Sequence, residues 1–403
     1  MRIGMLADVY KPHISGITNY ISLNKHYLEQ QGHEVFVFTF GDENYPDDEP
    51  NIIRSRGLPL VDTGYYLSFS YQRFARKLLY TMDLVHVHHP FLSGSLAIRY
   101  CQPRGIPIVF TNHTRYDLYA QAYLPVLPDV IGETFLQAYL PTFCRNCDLA
   151  IAPSNGMKEV MRTLGVISPI EVAPNGVNLE PFKTPEPEQA IQALRADLGA
   201  GPEDVVLIYV GRLGPEKNLP FLLRSFAGAA EAYNHLRLIF VGDGPERDNL
   251  EDRARAMGIE ESIRFTGLVD YSRLPRFLQA ADAFVTASVT EVHPLSVIEA
   301  LASGRPVLGV HSPGISDTIE DGVTGFLAKE DLAAFTAKMV RLVTNHEERK
   351  EMGIQAQKAA EKYAIERTTQ RLLTYYLNLV EGDHMKKRDL RQRMQRLFDR
   401  VRA

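Results

Sequence analysis

The stretch VVLIYVGRLGPEKN, Val205 to Asn218, decides the architecture. Its first six residues form an apolar run rich in Val and Ile, and such a run reads as a buried strand. The strand ends at Gly211, and a loop carrying Arg212 and Lys217 leads into the start of a helix. The same alternation of short apolar runs with longer stretches of helical period extends outward in both directions. After it come Leu236–Val241, Ile263–Phe265, Ala283–Ala287 and Pro306–Val310; before it come Arg2–Ala7, His33–Phe40, Leu84–His88, Pro107–Asn112 and Leu149–Ala152. Strands separated by crossover helices imply an α/β class with parallel sheets. At 403 residues the chain exceeds one comfortable core, so two doubly wound units are expected. Between the halves, IEVAPNGVN at 170 to 178 breaks both periods with Pro174 and the Asn175–Gly176 pair, which sets the boundary near Val177.

Composition narrows the function classes. A formal charge of -5 offers no global attraction to nucleic acid, so any anionic partner must be met locally. Of the three cysteines, Cys144 and Cys147 form a C-x-x-C without a second pair to complete a zinc set, and they read as buried thiols in a reducing compartment. The opening MRIGMLADVY lacks the charged and long apolar regions of a secretory signal and reads as a strand. No apolar run approaches the roughly 18 residues a spanning helix needs. The expectation is a cytoplasmic protein, attached at most to a membrane surface on the inner face of the cell membrane.

Open parallel sheets bind ligands at the carboxyl ends of their strands. Past the first strand, YKPHISGITNY offers Gly16, which lets the backbone approach a phosphate closely or simply makes a tight strand-to-helix turn, and Thr18, which is expected to cap the next helix. Arg212 and Lys217 lie just past a strand tip, where two cations can grip a diphosphate. VGDGPERDNL adds Gly242 and Gly244, a pattern that a simple turn would share. In TEVHPLSVIEALASGRPV, Glu291 and Glu299 stand eight positions apart, one at the mouth of a helix and the other two turns inside. Carboxylates accept hydrogen bonds from vicinal hydroxyls, so the pair suits a sugar and a ribose, although acids near a helix start are favoured by its dipole in any case. There is no Asp-x-Asp, which fits a site without a metal, and no G-x-G-x-x-G follows the first strand, which argues against a nicotinamide enzyme. His86, His88 and His89 in LVHVHHP alternate in direction, so packing at a strand tip is expected there rather than a metal centre.

GRLGPEKN followed by E-x7-E, with a glycine loop after the first strand and PNGVN between the halves, resembles the retaining glycosyltransferases of family 4. The similarity runs over roughly Met1 to Val380. It implies a GT-B fold of two Rossmann-like domains facing a central cleft: residues 1–177 binding the acceptor, residues 178–380 binding a nucleotide sugar, and a tail at 381–403. It also implies roles. Arg212 and Lys217 would bind the donor diphosphate and stabilise it as leaving group; Glu291 would hold sugar hydroxyls, and Glu299 the ribose. Gly16 would bring its amide to the phosphates, and His113, in TNHTRYD, would stand beside the reacting sugar. The family's aromatic-Gly pair is replaced by His293–Pro294; Pro294 has no N–H, so that donor contact falls to Leu295 or Ser296. The resemblance implies retention, with a donor phosphate oxygen taking the acceptor proton, no cofactor, and a UDP-sugar as favoured donor.

Two features point to a lipid acceptor at an anionic membrane surface. The tail HMKKRDLRQRMQRLFDRVRA places Leu390, Met394, Leu397, Phe398 and Val401 on one helical face among many Lys and Arg residues, as in a helix lying on anionic lipid or in one packed on the body with a solvated basic face. In TGYYLSFSYQRFARKLL, Tyr65, Tyr66, Phe69, Tyr71 and Phe74 mix with Arg73, Arg76 and Lys77 as in an interfacial segment, or in a core helix with a basic edge. The string His113–Thr114–Arg115–Tyr116 also resembles the glucosyltransferases that act on diacylglycerol. The alternatives are a soluble glycan or small alcohol as acceptor, mannose as the sugar, and a nucleotide-sugar 2-epimerase.

Overall fold

The computed structural model describes residues 1–60, 66–116, 118 and 138–382. The chain forms two compact units. The first contains Met1–Pro153, Lys158–Ala173 and the described residues from Glu366 onward; the second contains Ser154–Met157 and Pro174–Ile365.

In the first unit the strands are β1 (Arg2–Leu6), β2 (Glu34–Phe40), β3 (Ile52–Ser55), the two-residue strands β4 (Leu58–Pro59) and β5 (Tyr66–Leu67), β6 (Leu84–Val87), β7 (Ile108–Thr111), β8 (Leu149–Ala152) and β9 (Ile170–Val172). Seven of them make a parallel sheet in the order β3-β2-β1-β6-β7-β8-β9, while β4 and β5 pair antiparallel by themselves. Strand order reverses at β1, between β2 and β6. That switch point is where an open α/β sheet leaves a crevice at its carboxyl edge. Alternate β1 residues Ile3 and Met5 bury against Tyr20, Ile21 and Leu28 of the helix Gly16–Gln30. Ser15 caps that helix and exchanges hydrogen bonds with Thr18, so the cap expected at Thr18 falls at Ser15, with Thr18 as its reciprocal partner.

The second unit contains β10 (Val205–Val210), β11 (Leu236–Val241), β12 (Ile263–Phe265), β13 (Ala283–Thr286), β14 (Val307–Val310) and β15 (Gly325–Ala328), all parallel, in the order β12-β11-β10-β13-β14-β15. Its switch point is at β10. Val205, Leu207 and Tyr209 join a core with Phe221, Phe226 and Phe335, while Val206 and Ile208 join another with Phe277, Ile298 and Leu301. Helices therefore cover both faces, as the unbroken apolar strand requires. Burying one side chain such as Phe226 contributes roughly 1.5–3 kcal/mol.

The expected class, two parallel Rossmann-like units, is the observed one. Strands β3, β4, β5, β9 and β15 were not expected; β3, β9 and β15 are edge strands of the two large sheets, β4 and β5 have two residues each, and β9 lies in the stretch that reads as a linker. The expected second domain extends to residue 380, but residues 365–382 are helical and pack on the first unit from Glu366 onward. Leu372, Leu373 and Tyr376 bury in the β1 core, Thr369 donates to Asn24 at 2.9 Å, and Tyr375 donates to the Val172 carbonyl at 3.2 Å. An apolar helical face does not encode which of two sheets it will cover.

Candidate functional site

The chemistry-bearing residues of the second unit gather at its switch point. Strand β10 ends at Gly211, whose N–H donates to the Val241 carbonyl, and the following loop is tied to the β11 loop through Leu213 N–H to Asp243 O and Glu246 N–H to Leu213 O. Gly242 is required there: its φ is +135°, and a Cβ would lie 2.0 Å from the Gly211 carbonyl oxygen. This glycine cluster shapes the loop that carries the cations. Lys217 closes a short 3-10 turn, Pro215–Lys217, and its Nζ donates to Glu291 Oε1 at 2.7 Å. Arg212 projects outward, 65% exposed, 3.7 Å from Glu216. The two expected cations therefore each face a carboxylate. The Lys217–Glu291 contact is short and about four-fifths buried, whereas the Arg212–Glu216 pair is long and solvated.

Glu291 follows β13, the strand beside β10. Its backbone carbonyl accepts from Gly314 N–H at 3.2 Å, and a Cβ on Gly314 would come within 2.4 Å of that oxygen. Ser154 Oγ donates to Val292 O and Asn175 Nδ2 to His293 O, so three contacts hold the turn that presents Glu291. His293 is buried with its ring against Tyr363, and burial pushes it down to about 3, so it is a neutral packing residue.

The helix Leu295–Ala302 follows, with Pro294 at its N-cap in an extended conformation. The first N–H groups of a helix have no intrahelical acceptor, and Leu295 and Ser296 are half-buried at that end. Glu299, two turns from Glu291, is enclosed and accepts from the Tyr271 hydroxyl at 2.8 Å. Burial pushes its carboxyl up to about 7; the Tyr271 hydrogen bond opposes that rise.

In the first unit, Gly16 opens the helix after β1. A Cβ on Gly16 would meet nothing within 4 Å, and its φ is not left-handed, so the fold does not demand glycine there. His113 follows β7 and is half-buried. Its Nε2 lies 3.0 Å from His88 Nδ1, and its ring packs edge-on to Tyr20 at 4.8 Å. Burial, reinforced by the neighbouring histidines, holds His113 well below its ordinary value. His86 and His88 do point to one side, their rings 4.2 Å apart, whereas His89 Nδ1 accepts from the Asp8 N–H. Asp8, past the β1 tip, accepts from the N–H groups of Leu92 and Ser93 and so anchors the helix Leu92–Tyr100. Among the described residues no group of three His, Cys, Asp or Glu could hold a metal ion. Cys101, Cys144 and Cys147 are free and buried, and burial pushes Cys144 up to about 12.

The structure thus brings Arg212, Lys217, Glu291, Leu295, Ser296 and Glu299 to one edge of the second unit, and Gly16 and His113 to the carboxyl edge of the first sheet. Sequence reasoning missed Tyr271, Gly314 and Asp8. The Pro313–Gly314 turn after β14 and the acid after β1 were available as signals; nothing local marks Tyr271 as the partner of a glutamate 28 residues on.

A model described as Glycosyl transferases group 1 matches residues 190–359, and one described as Glycosyltransferase Family 4 matches residues 14–181. An alpha-monoglucosyldiacylglycerol synthase of Streptococcus pneumoniae is 31% identical over 341 residues, 83% of this chain and 77% of that protein. The enzyme of the same name from Acholeplasma laidlawii is 29% identical over 398 residues, 96% of this chain and 99% of its own. Among solved structures, Anabaena HepE in complex with UDP and glucose has a TM-score of 0.73 at 18% identity, covering 94% of this chain and all of the other.

Proposed function

The chain belongs to the group 1, family 4 glycosyltransferases and is a hexosyltransferase; from that premise we propose that it moves glucose from UDP-glucose, with retention, to the hydroxyl of a membrane lipid such as diacylglycerol. The observation that carries this reading is the similarity, over nearly the whole of both chains, to a protein named for that product. Transfer from an α-linked UDP-glucose to an α-glucoside is retention.

The residues fit the steps. Departure of UDP builds negative charge on the β-phosphate, and Arg212 with Lys217 supplies cations where it develops. The donor diphosphate competes with Glu291 for Lys217, which frees Glu291 to accept from sugar hydroxyls. Glu299 accepts from the ribose, Leu295 and Ser296 offer helix N–H groups to the phosphates, and the open space over Gly16 admits a phosphate against its amide. His113 stands beside the reacting sugar. The acceptor hydroxyl attacks from the leaving-group side, and a donor phosphate oxygen takes its proton. No protein nucleophile, metal or cofactor enters this scheme.

For the lipid surface, Phe69 and Phe74 are 70% and 69% exposed beside exposed Arg73 and Lys77, whereas Tyr71 turns inward and stacks on Phe40. Leu58 and Leu60 are exposed on the same unit. Tyr65 and the basic tail from Lys386 lie outside the described residues. Exposed aromatic rings with adjacent cations suit the boundary of an anionic bilayer, each cation contributing about 1 kcal/mol. No described helix is long and apolar enough to cross a membrane. The test is turnover of UDP-glucose and of GDP-mannose by the purified protein, each with and without diacylglycerol in anionic liposomes, following nucleotide release and glycolipid together. Glucolipid formed from UDP-glucose only when lipid is present supports the reading; equal nucleotide release without lipid refutes the acceptor.

A further inference from the structure

The two ring nitrogens of His113 stand in different surroundings. Nε2 faces His88 Nδ1 at 3.0 Å, while Nδ1 has no partner among the described residues and is not sealed from solvent. His88 is fully enclosed, and its own Nε2 is buried without a hydrogen-bond partner. His86 cannot serve it, because both His86 nitrogens are already engaged, Nδ1 with the Tyr376 hydroxyl at 2.5 Å and Nε2 with Thr111 Oγ1 at 2.6 Å. Burial depresses both His88 and His113 well below the ordinary histidine value, so each ring is neutral and carries a single N–H.

Only one hydrogen can occupy the line between the two rings. If His113 Nε2–H donates, His88 must carry its proton on Nε2, leaving a buried N–H with no acceptor. If His88 Nδ1–H donates, the unmet group is a lone pair, and the proton of His113 moves to its outward nitrogen. An orphaned buried N–H is the rarer and costlier defect. We propose that His88 is a positioning residue that fixes His113 as the Nδ1–H tautomer, so that this ring presents a hydrogen-bond donor to an oxygen of the transferred sugar. The stacking of His88 on His113, centroids 5.3 Å apart and planes 29° from parallel, and the edge of Tyr20 hold the ring plane in which that donor points. The tautomer of a histidine is set by the hydrogen bond its other nitrogen makes. The last step, donation to the sugar, rests on the reading that His113 faces it.

The test begins with the unaltered full chain labelled with ¹⁵N-histidine. Two-bond proton–nitrogen correlation spectra report which nitrogen is protonated, and the His113 signals are identified by their loss in His113→Gln. The expected result is a protonated Nδ1 and a bare Nε2; a protonated Nε2 overturns the inference without recourse to any variant at His88. His88→Leu is expected to let His113 populate the other tautomer and to lower kcat about tenfold, the worth of one hydrogen bond, with the donor KM within twofold. His88→Asn, whose amide N–H can occupy the place of Nδ1–H, is expected to restore both the spectrum and most of kcat. A folded His88→Leu protein with unchanged kcat refutes the positioning role. If His113→Gln itself turns over normally, the placement of His113 beside the sugar fails, while the spectrum of the unaltered chain still judges the tautomer.

Discussion

Replacing Lys217 by alanine separates the stability of the candidate site from its chemistry. Lys217 Nζ lies 2.7 Å from Glu291 Oε1, with the two side chains 19% and 22% exposed. Its loss leaves Glu291 with enough solvent contact to hydrate, so the folding cost stays near 1 kcal/mol, well below the 3–5 kcal/mol of an uncompensated buried charge. The loss in transfer is larger. A preplaced donor aimed at developing negative charge contributes about 2.7–4 kcal/mol, so kcat should fall roughly 10²- to 10³-fold. Glu291→Gln and the double variant complete a cycle; if the diphosphate draws Lys217 away from Glu291 during turnover, the double variant is less impaired than the product of the single losses. Nucleotide release and glucolipid formation at saturating donor measure kcat, and thermal unfolding followed by circular dichroism verifies the fold. A Lys217→Ala protein with kcat within threefold of the unaltered chain would falsify the assignment of Lys217 to the leaving group.

Glu299 should make donor binding sensitive to pH: burial raises its carboxyl to about 7, so it takes up a proton as pH falls through that value and can no longer accept from both ribose hydroxyls. Donor KM should rise about tenfold between pH 8 and pH 6, and Tyr271→Phe, which removes the hydrogen bond favouring the carboxylate, should move the profile to higher pH; a flat KM profile sinks the idea. Gly16→Ala meets nothing in the fold and shortens the disorder of the unfolded chain, so the melting temperature should hold or rise while donor KM increases severalfold; unchanged donor KM would make Gly16 incidental. Phe69→Ser with Phe74→Ser should leave thermal stability unchanged, since both rings are exposed, yet weaken co-sedimentation with anionic liposomes by roughly tenfold or more; equal co-sedimentation removes these rings from the membrane contact.

The apolar runs from Arg2 and Val205 identified strands by themselves, because burial on both faces of a parallel sheet favours apolar residues at successive positions rather than at alternate ones. Lys217, Glu291 and Glu299 were also legible, as charged residues just past strand tips and inside a helix that follows one. Their partnerships were not. Lys217 meets Glu291 across 74 positions, and whether two such charges touch depends on β10 and β13 lying side by side. The edge strands β3, β9 and β15 take their identity from the neighbour that supplies their hydrogen bonds, and their sequences IIRS, IEV and GFLA interrupt the apolar run with a charged residue or a glycine. The return of residues 366–382 to the first unit, 290 positions from His86 at the Tyr376 contact, is the same kind of fact. Residue type and period are local properties that the sequence alone determined; the choice of packing partner, and with it the pairing of Tyr271 with Glu299 and of His88 with His113, arises only when distant segments compete for the same buried surface and the tertiary structure decides between them.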